Sequence, residues 1–392
     1  MAIYIEINRK TKEIVCLEPQ SVSSLVNGHY GVIKKGVVHL YPEEALYLID
    51  IRNAKCYDKN GNVMLFNDVA SLFPSKKQMA KYFTYKDWRD RGLIARPICE
   101  LDWKKNYGRN PVKKYPKGKF EMDKYSLQGR FFEGDLTCII DDEHAAREIY
   151  ERYWMGQFAS YKAEQRGKIG KLDIYETLFM VRNGNLCIYG MDEKKLVRSA
   201  KRLRTDFSSL YEVYEDWRMR GFILKTGFKF GTHFRLYFPG ASPVKPAGEW
   251  VHSRHVIHVF PRKSRMIISE WARAIRVAHS VKKTFILAIP GKRVRGEEKI
   301  DVGLNYILYH RHKGGIETPK DGKPRYLMMS LSEEEEIGGA ELAIAIERCK
   351  EAGLELLLGI ADRESSVTYY LIKRIELPGS KYEYYEIEWV QP

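Results

Sequence analysis

Residues 226–240 read Thr226-Gly227-Phe228-Lys229-Phe230-Gly231-Thr232-His233-Phe234-Arg235-Leu236-Tyr237-Phe238-Pro239-Gly240, and residues 252–261 read His252-Ser253-Arg254-His255-Val256-Ile257-His258-Val259-Phe260-Pro261. The first stretch alternates aromatic and polar residues between glycines, the pattern of a half-buried strand with turns, and Tyr237 stands at its end. The second is a β-branched run stopped by proline, a further strand with His252 at its mouth. A helix is expected next, from Ser269 as N-cap through Trp271, Ile275 and Ala278 to Lys282 and Lys283, followed by a buried strand from Thr284 to Ile289.

These signals put a phenol, an imidazole and an ammonium at element ends. From Gly221 to Ala288 the only carboxylates are Glu249 and Glu270, so the paired acids that hold Mg²⁺ in metal-dependent nucleases are missing from this segment. Tyrosine, histidine and lysine can divide phosphodiester cleavage among themselves. One takes the proton of a ribose 2′-hydroxyl, one protonates the leaving 5′-oxygen, and one offsets the charge that develops on phosphorus. His255 and His258, three apart on a strand, point to opposite faces, which argues against a metal site built from histidines.

The segment resembles the catalytic unit of the archaeal tRNA-splicing endonucleases. By that resemblance the family's base tyrosine falls on Tyr237 and its acid histidine on His252. Its lysine closes an Arg-x-Ala-His-Ser-Val-Arg-Lys signature, here Arg276-Val277-Ala278-His279-Ser280-Val281-Lys282-Lys283, which assigns Lys283. Arg276 resembles a family arginine that stacks on a bulged base, and His279 reads as structural. The resemblance implies metal-free and cofactor-free excision of introns from precursor tRNA at bulge-helix-bulge elements. It also implies 2′,3′-cyclic phosphate and 5′-hydroxyl ends.

Composition agrees with a polyanionic partner. The chain has 392 residues with 66 Lys and Arg against 51 Asp and Glu, a net charge of +15, and such an excess gains by displacing counterions from phosphates. Its 26 tyrosines supply rings on which unpaired bases can stack. Six cysteines, with no CxxC spacing, suggest neither zinc nor a disulfide framework and read as buried thiols of a cytoplasmic protein. No apolar run approaches membrane-spanning length, and Met1 to Ile7 reads as a short strand and not as a signal peptide.

The chain also repeats itself. Tyr85-Lys86-Asp87-Trp88-Arg89-Asp90-Arg91-Gly92 recurs as Tyr214-Glu215-Asp216-Trp217-Arg218-Met219-Arg220-Gly221, Glu44 to Ile49 answers Glu176 to Val181, and His29-Tyr30-Gly31 answers Trp154-Met155-Gly156. An α+β chain of tandem units is expected, with mixed sheets flanked by helices. Residues 1–97 form a non-catalytic partial unit and 98–128 a basic linker, read as a solvated tether. The catalytic unit follows as an N-terminal subdomain, 129–222, and a catalytic subdomain, 223–300. Its copy of the repeat is longer by a basic loop at 158–171, in which Lys162, Arg166 and Lys168 are candidate RNA contacts.

Residues 301–392 read as a third, non-catalytic partial unit. Asn305 to Tyr309 mimics the Tyr237 strand, and alignment of the helix-strand junctions puts Leu354 in the place of Lys283. The run Glu333 to Glu336 is expected at a helix start, where acids favour the dipole. The loop Asp362-Arg363-Glu364-Ser365-Ser366 corresponds to a family loop whose acids dock on a catalytic unit, so Asp362 and Glu364 are candidate dimer contacts. One complete unit per chain and two cuts per intron imply a homodimer. The rival reading is a non-catalytic tRNA-binding subunit, against which the intact Tyr237, His252 and Lys283 argue.

Overall fold

The structure is a computed structural model that describes the whole chain except residues 1–2, 162, 245–250, 294–295, 298–299, 301 and 313. The first copy of the repeat comprises β1 (Tyr4–Asn8), β2 (Glu13–Cys16), α1 (Pro19–Asn27), β3 (Val32–Lys34), β4 (Val37–His39), α2 (Pro42–Ile51), β5 (Lys55–Asp58), α3 (Phe66–Leu72) and α4 (Gln78–Asp90). Two short strands follow, β6 (Ala95–Pro97) and β7 (Val112–Lys114). The second copy comprises β8 (Leu127–Phe132), β9 (Thr137–Ile140), α5 (Glu143–Tyr153), β10 (Gln157–Phe158), β11 (Gly170–Asp173), α6 (Ile174–Asn183), β12 (Leu186–Ile188), α7 (Glu193–Leu203) and α8 (Phe207–Met219). The two sheets have the same order, β3-β4-β2-β1-β5 and β10-β11-β9-β8-β12. In each, the first hairpin pairs antiparallel and the last strand joins it in parallel.

The remaining elements build one large sheet, its two covering helices and two small two-stranded sheets. They are β13 (Ile223–Thr226), β14 (Phe234–Tyr237), β15 (His255–Val259), β16 (Arg265–Ile267), α9 (Ile268–Ser280), β17 (Thr284–Ala288), β18 (Leu304–Leu308), β19 (Arg311–His312), β20 (Gly315–Ile316), β21 (Tyr326–Ser332), β22 (Glu336–Gly338), α10 (Gly339–Ala352), β23 (Glu355–Ala361), β24 (Val367–Glu376) and β25 (Tyr384–Val390). The small sheets pair β16 with β22 and β19 with β20, and the large one runs β13-β14-β15-β17-β25-β24-β23-β21-β18-β6, with β7 added to β24. It reads alike from both ends: antiparallel, antiparallel, parallel, antiparallel, with the β24–β25 hairpin at the centre.

This order joins segments far apart in sequence. Strand β6, which ends the first copy, completes the sheet of the C-terminal segment, and one apolar core holds Ile5, Trp88 and Ala95 together with Tyr306, Met328, Leu357 and Tyr369. The two partial units of the sequence thus fuse into one body. The catalytic half borrows in turn: its β17 pairs with β25, from the far C-terminus.

The basic segment 98–128 is not a solvated tether. Tyr107 N–H and Arg109 N–H donate to the Ala352 and Gly353 carbonyls at the end of α10, at 2.8 and 2.6 Å. Arg109 pairs with Glu317 at 2.5 Å, and Tyr115 is buried with its hydroxyl on Glu386 at 2.6 Å. Backbone and asparagine amides spaced among the lysines answer helix-end carbonyls that would otherwise lack donors, and Tyr115 anchors the segment to β25.

Helix α9 also differs from expectation at its start. Ser269 is not the cap: Ile267 holds that position without a side-chain bond, and the Ile268 and Ser269 N–H groups donate to the Glu335 and Glu333 carbonyls at 2.9 and 3.0 Å. Helix α10 is capped reciprocally by the Ser264 and Arg262 carbonyls, both at 2.9 Å. The run Glu333 to Glu336 therefore lies ahead of the helix. Its side chains tie Lys77, Arg265 and Arg363 instead of meeting the dipole.

All six cysteines are unpaired; Cys99 and Cys187 are exposed, against the expectation of burial throughout. Among the described residues no helix is long and apolar enough to cross a membrane.

Candidate active site

The hairpin partner of β14 is β13, and each stops at a local signal: Gly227 breaks the first, Pro239 follows the second. Tyr237 is consequently held at the last rung of β14, buried, with its ring 4.7 Å from Trp154. His252 lies three residues ahead of β15 and is exposed. Lys283 is delivered by a turn: α9 ends at Ser280, Lys282 takes the left-handed conformation with φ 56°, and Lys283 N–H returns to the Ala278 carbonyl at 2.9 Å. All three side chains line one cleft of about 580 Å³.

The cleft explains the electrostatics. The Lys283 ammonium donates to the Ser253 carbonyl and, at 3.1 Å, to the Ser253 hydroxyl, and it lies 4.8 Å over the Phe230 ring. Burial, with Arg235 nearby, holds its pKa below the usual lysine value. The Ser253 side chain also lies near Tyr237 and acts to lower its pKa. A cation that favours the phenolate is Arg235, 5.9 Å from the Tyr237 ring. Burial outweighs it, and the Tyr237 pKa stands above the ordinary value. The surrounding cations therefore do not bring the Tyr237 pKa below its ordinary value.

Ser253, Arg235 and Trp154 carried no signal beyond their neighbourhood in the sequence. Loss of the Ser253 hydroxyl removes one bond from Lys283 while keeping the backbone carbonyl. Ser253→Ala is expected to lower the single-turnover rate about tenfold, with little change in RNA affinity, because a looser ammonium is worse placed where charge develops. An unchanged rate would remove Ser253 from the positioning of Lys283.

The opposite wall is made by the repeated glutamate. Glu176 accepts from Gly156 N–H at 3.0 Å and Asp173 N–H at 3.2 Å and pairs with Lys225 of β13 at 2.6 Å. Glu44 does the same in the first copy, accepting from Gly31 and Tyr41 and pairing with Arg96 of β6 at 2.6 Å. Gly31 and Gly156 have φ of +62° and +66°, and a Cβ on Gly156 would meet the Lys171 carbonyl at 2.4 Å, so only glycine fits there. Burial and the neighbouring Glu176 push Asp173, on the same wall, up to about 7. Among the described residues, no three His, Cys, Asp or Glu side chains converge where a metal ion could be held.

The other candidates lie elsewhere. Arg276 is exposed on α9, outside the cleft lining. Lys162 falls outside the described residues. Arg166 and Lys168 are exposed in the same loop, Lys168 beside Glu143 at 3.8 Å, and among the described residues the loop's contributions to the cleft are Tyr161 and Lys171. Asp362 caps its own turn, accepting from Glu364 and Ser366 N–H at 2.9 and 2.8 Å, and Glu364 is exposed.

The other histidines of the segment are structural. His255 packs on Tyr115 and Phe238, and His258 lies on the opposite face against Phe285 and His233. His279 bonds the Ile387 carbonyl. Burial lowers His233 and His255 to about 4 and His258 to about 3. In the unfolded chain these imidazoles take protons near their ordinary pKa of about 6.5. Stability is therefore fully present above that value and is lost as pH falls through the folded pKa values, by up to about 1.4 kcal/mol per pH unit for each imidazole. The urea midpoint should fall between pH 6.5 and 4, and His258→Phe should flatten that dependence; a flat native profile would contradict the assignment.

Strand register extends the comparison to the other body. Lys225 stands opposite Arg235 and Arg96 opposite Ile307, which makes Tyr309 the counterpart of Tyr237. Following β21 and β23 in the same way puts Lys323 and Leu354 where His252 and Lys283 stand.

Known proteins are similar to this chain over the same residues. A family model described as the catalytic C-terminal domain of tRNA intron endonuclease matches residues 207–301, which span β13 to β17 and all three cleft residues. The tRNA-splicing endonuclease of Hyperthermus butylicus is 30% identical over 44% of this chain and 92% of its own length, and that of Thermococcus gammatolerans 30% identical over 41% and 88%. The tRNA-splicing endonuclease of Methanococcoides burtonii is 25% identical over 74% of this chain and 97% of its own length. With nearly the whole of shorter relatives matched at that identity, and with Tyr237, His252 and Lys283 gathered in one cleft, this chain belongs to the tRNA-splicing endonuclease family.

Proposed function

We propose that the chain excises introns from precursor tRNA at bulge-helix-bulge elements by metal-independent transesterification. Tyr237 takes the proton from the 2′-hydroxyl next to the scissile phosphate, and the 2′-oxygen attacks phosphorus. The bond to the 5′-oxygen breaks, His252 gives that oxygen a proton, and Lys283 offsets the charge on the phosphorane. The products carry 2′,3′-cyclic phosphate and 5′-hydroxyl ends. The observation that carries this reading is the shared cleft of these three side chains.

The aromatic surface of the cleft supports an RNA substrate with unstacked bases: Phe228, on its rim, is 86% exposed, and sequence-tolerant stacking needs such a ring. The second body has lysine and leucine in place of His252 and Lys283. Two cuts then call for two chains, a homodimer in which Glu364 and the Asp362 turn are the proposed contacts.

The test is cleavage of an intron-containing precursor tRNA in excess EDTA, with the product ends mapped. Cyclic phosphate ends from a dimeric native protein are expected. Cutting that returns only with Mg²⁺ would overturn the mechanism, and RNA binding without cutting under any condition would favour a binding subunit.

A further inference from the structure

The two copies of the repeat differ at one helix. In both, a helix links the parallel strand to the long helix that ends in Trp-Arg-x-Arg-Gly. In the first copy it is α3, and residues 61–75 contain no lysine or arginine. In the catalytic copy it is α7, which buries Leu196, Ser199 and Ala200 and exposes Lys194, Lys195, Arg198, Lys201 and Arg202. Arg202 has Glu133 at 3.3 Å, whereas no carboxylate pairs with Lys194, Lys195, Arg198 or Lys201 among the described residues. A solvated surface helix needs no such excess, and opposed charges are the common arrangement.

The stripe also has a direction. Helix α6 starts at the cleft, where Asp173 and Glu176 stand, and ends at Arg182, which pairs with Glu193 at the start of α7 at 2.7 Å. Helix α7 then runs back. Arg204, just past its end, pairs with Asp206, and its charge acts on Tyr175 in the first turn of α6 and on His233 ahead of β14. The cations therefore lead over roughly 16 Å from the far end of the subdomain toward the cleft. At the far end Tyr189 is 74% exposed with the Arg130 guanidinium over its ring at 5.4 Å.

We propose that this face of α7 is a phosphate track that grips the backbone of the double-helical RNA flanking the cleaved segment. The inference rests on the reading that the chain cuts structured RNA. A duplex carries a phosphate for about every 1.7 Å of its axis, so the stripe spans several. The deep, narrow major groove of an RNA duplex keeps base edges from these side chains, so their contacts position the RNA and read no sequence. The copy that carries it is the one joined to the cleft of Tyr237, His252 and Lys283, toward which RNA must be guided.

The test replaces Lys194, Lys195, Arg198 and Lys201 together by glutamine, a good helix former, in the full chain. Affinity is measured by anisotropy in a His252→Ala background between 50 and 200 mM salt, with a full precursor tRNA and with a minimal RNA trimmed to the cleaved segment. Single-turnover cutting at saturating RNA is measured in the otherwise native chain. For the full precursor the slope of log K against log salt should shrink by about 2 to 4, at ~0.9 per lost phosphate contact. Affinity at 100 mM salt should drop tenfold or more, with the minimal RNA and the saturated rate unaffected. An unchanged slope, or equal weakening for both RNAs, would overturn the track while the native protein still cuts. A native protein that neither binds nor cuts precursor tRNA would overturn the functional reading as well. A urea midpoint equal to that of the native chain excludes unfolding as the cause.

Discussion

His252→Ala is expected to slow cleavage of ordinary precursor RNA by about 10²–10⁴-fold and to recover most of that loss on RNA carrying sulfur in place of the bridging 5′-oxygen at the scissile phosphate. The reasoning separates the acid from the other two groups. An alkoxide leaves poorly without a proton, whereas a thiolate, whose conjugate acid has a pKa of about 8.5, leaves unaided. A residue whose task is to protonate the leaving atom becomes dispensable on the sulfur substrate. Tyr237→Phe should remain slow on both RNAs, since the 2′-hydroxyl must still lose its proton, and Lys283→Ala should remain slow on both, since the phosphorane charge is unchanged. His252 is exposed and outside the hydrophobic cores, so its removal should leave stability intact. Equal impairment of His252→Ala on both substrates would take the acid role away from it.

The three residues were legible because each sits beside a local stop. Pro239 closes the strand of Tyr237, the β-branched run starting at His255 begins just after His252, and the turn after Ser280 presents Lys283. Such signals involve neighbours only, and periodicity within a short window carries them. The repeat was legible for the same reason, because Trp88 and Trp217 head corresponding cores. What was not legible depends on partners far along the chain. Nothing within Ala95–Pro97 indicates that it will pair with Leu304–Leu308, nor anything in Tyr384–Val390 that it will close the catalytic half. The cap of α9 comes from carbonyls at Glu333 and Glu335, far along the chain, and not from the side chain of Ser269. The lysines of 98–128 suggested a tether because their charges dominate composition, whereas the fold uses the amides and tyrosines between them. Ser253 has no pattern of its own and acquires its place from the Lys283 ammonium it holds.

The largest effect on stability should come from Glu176→Ala, a change in the wall of the cleft and not in its chemistry. Glu176 is buried and gathers three donors, the Gly156 and Asp173 N–H groups and the Lys225 ammonium. Lys225 is only 12% exposed, and its pKa is already held below the usual lysine value by burial. Without the carboxylate it keeps a single carbonyl, that of Gly156 at 2.7 Å. A charge stranded in this way costs about 3 kcal/mol, and two orphaned N–H groups add to it. Lys225→Met should cost less, since Glu176 retains both N–H donors. The double variant should be more stable than Glu176→Ala alone, because the stranded charge has gone. Glu44 provides the internal contrast: Arg96 is also bound by Glu100 at 2.5 Å, so Glu44→Ala leaves that cation a partner and should be the milder loss. Urea denaturation of these four variants tests the ordering. Additive effects of Glu176→Ala and Lys225→Met would mean that the pair does not act as a latch between β13 and the subdomain carrying the repeat.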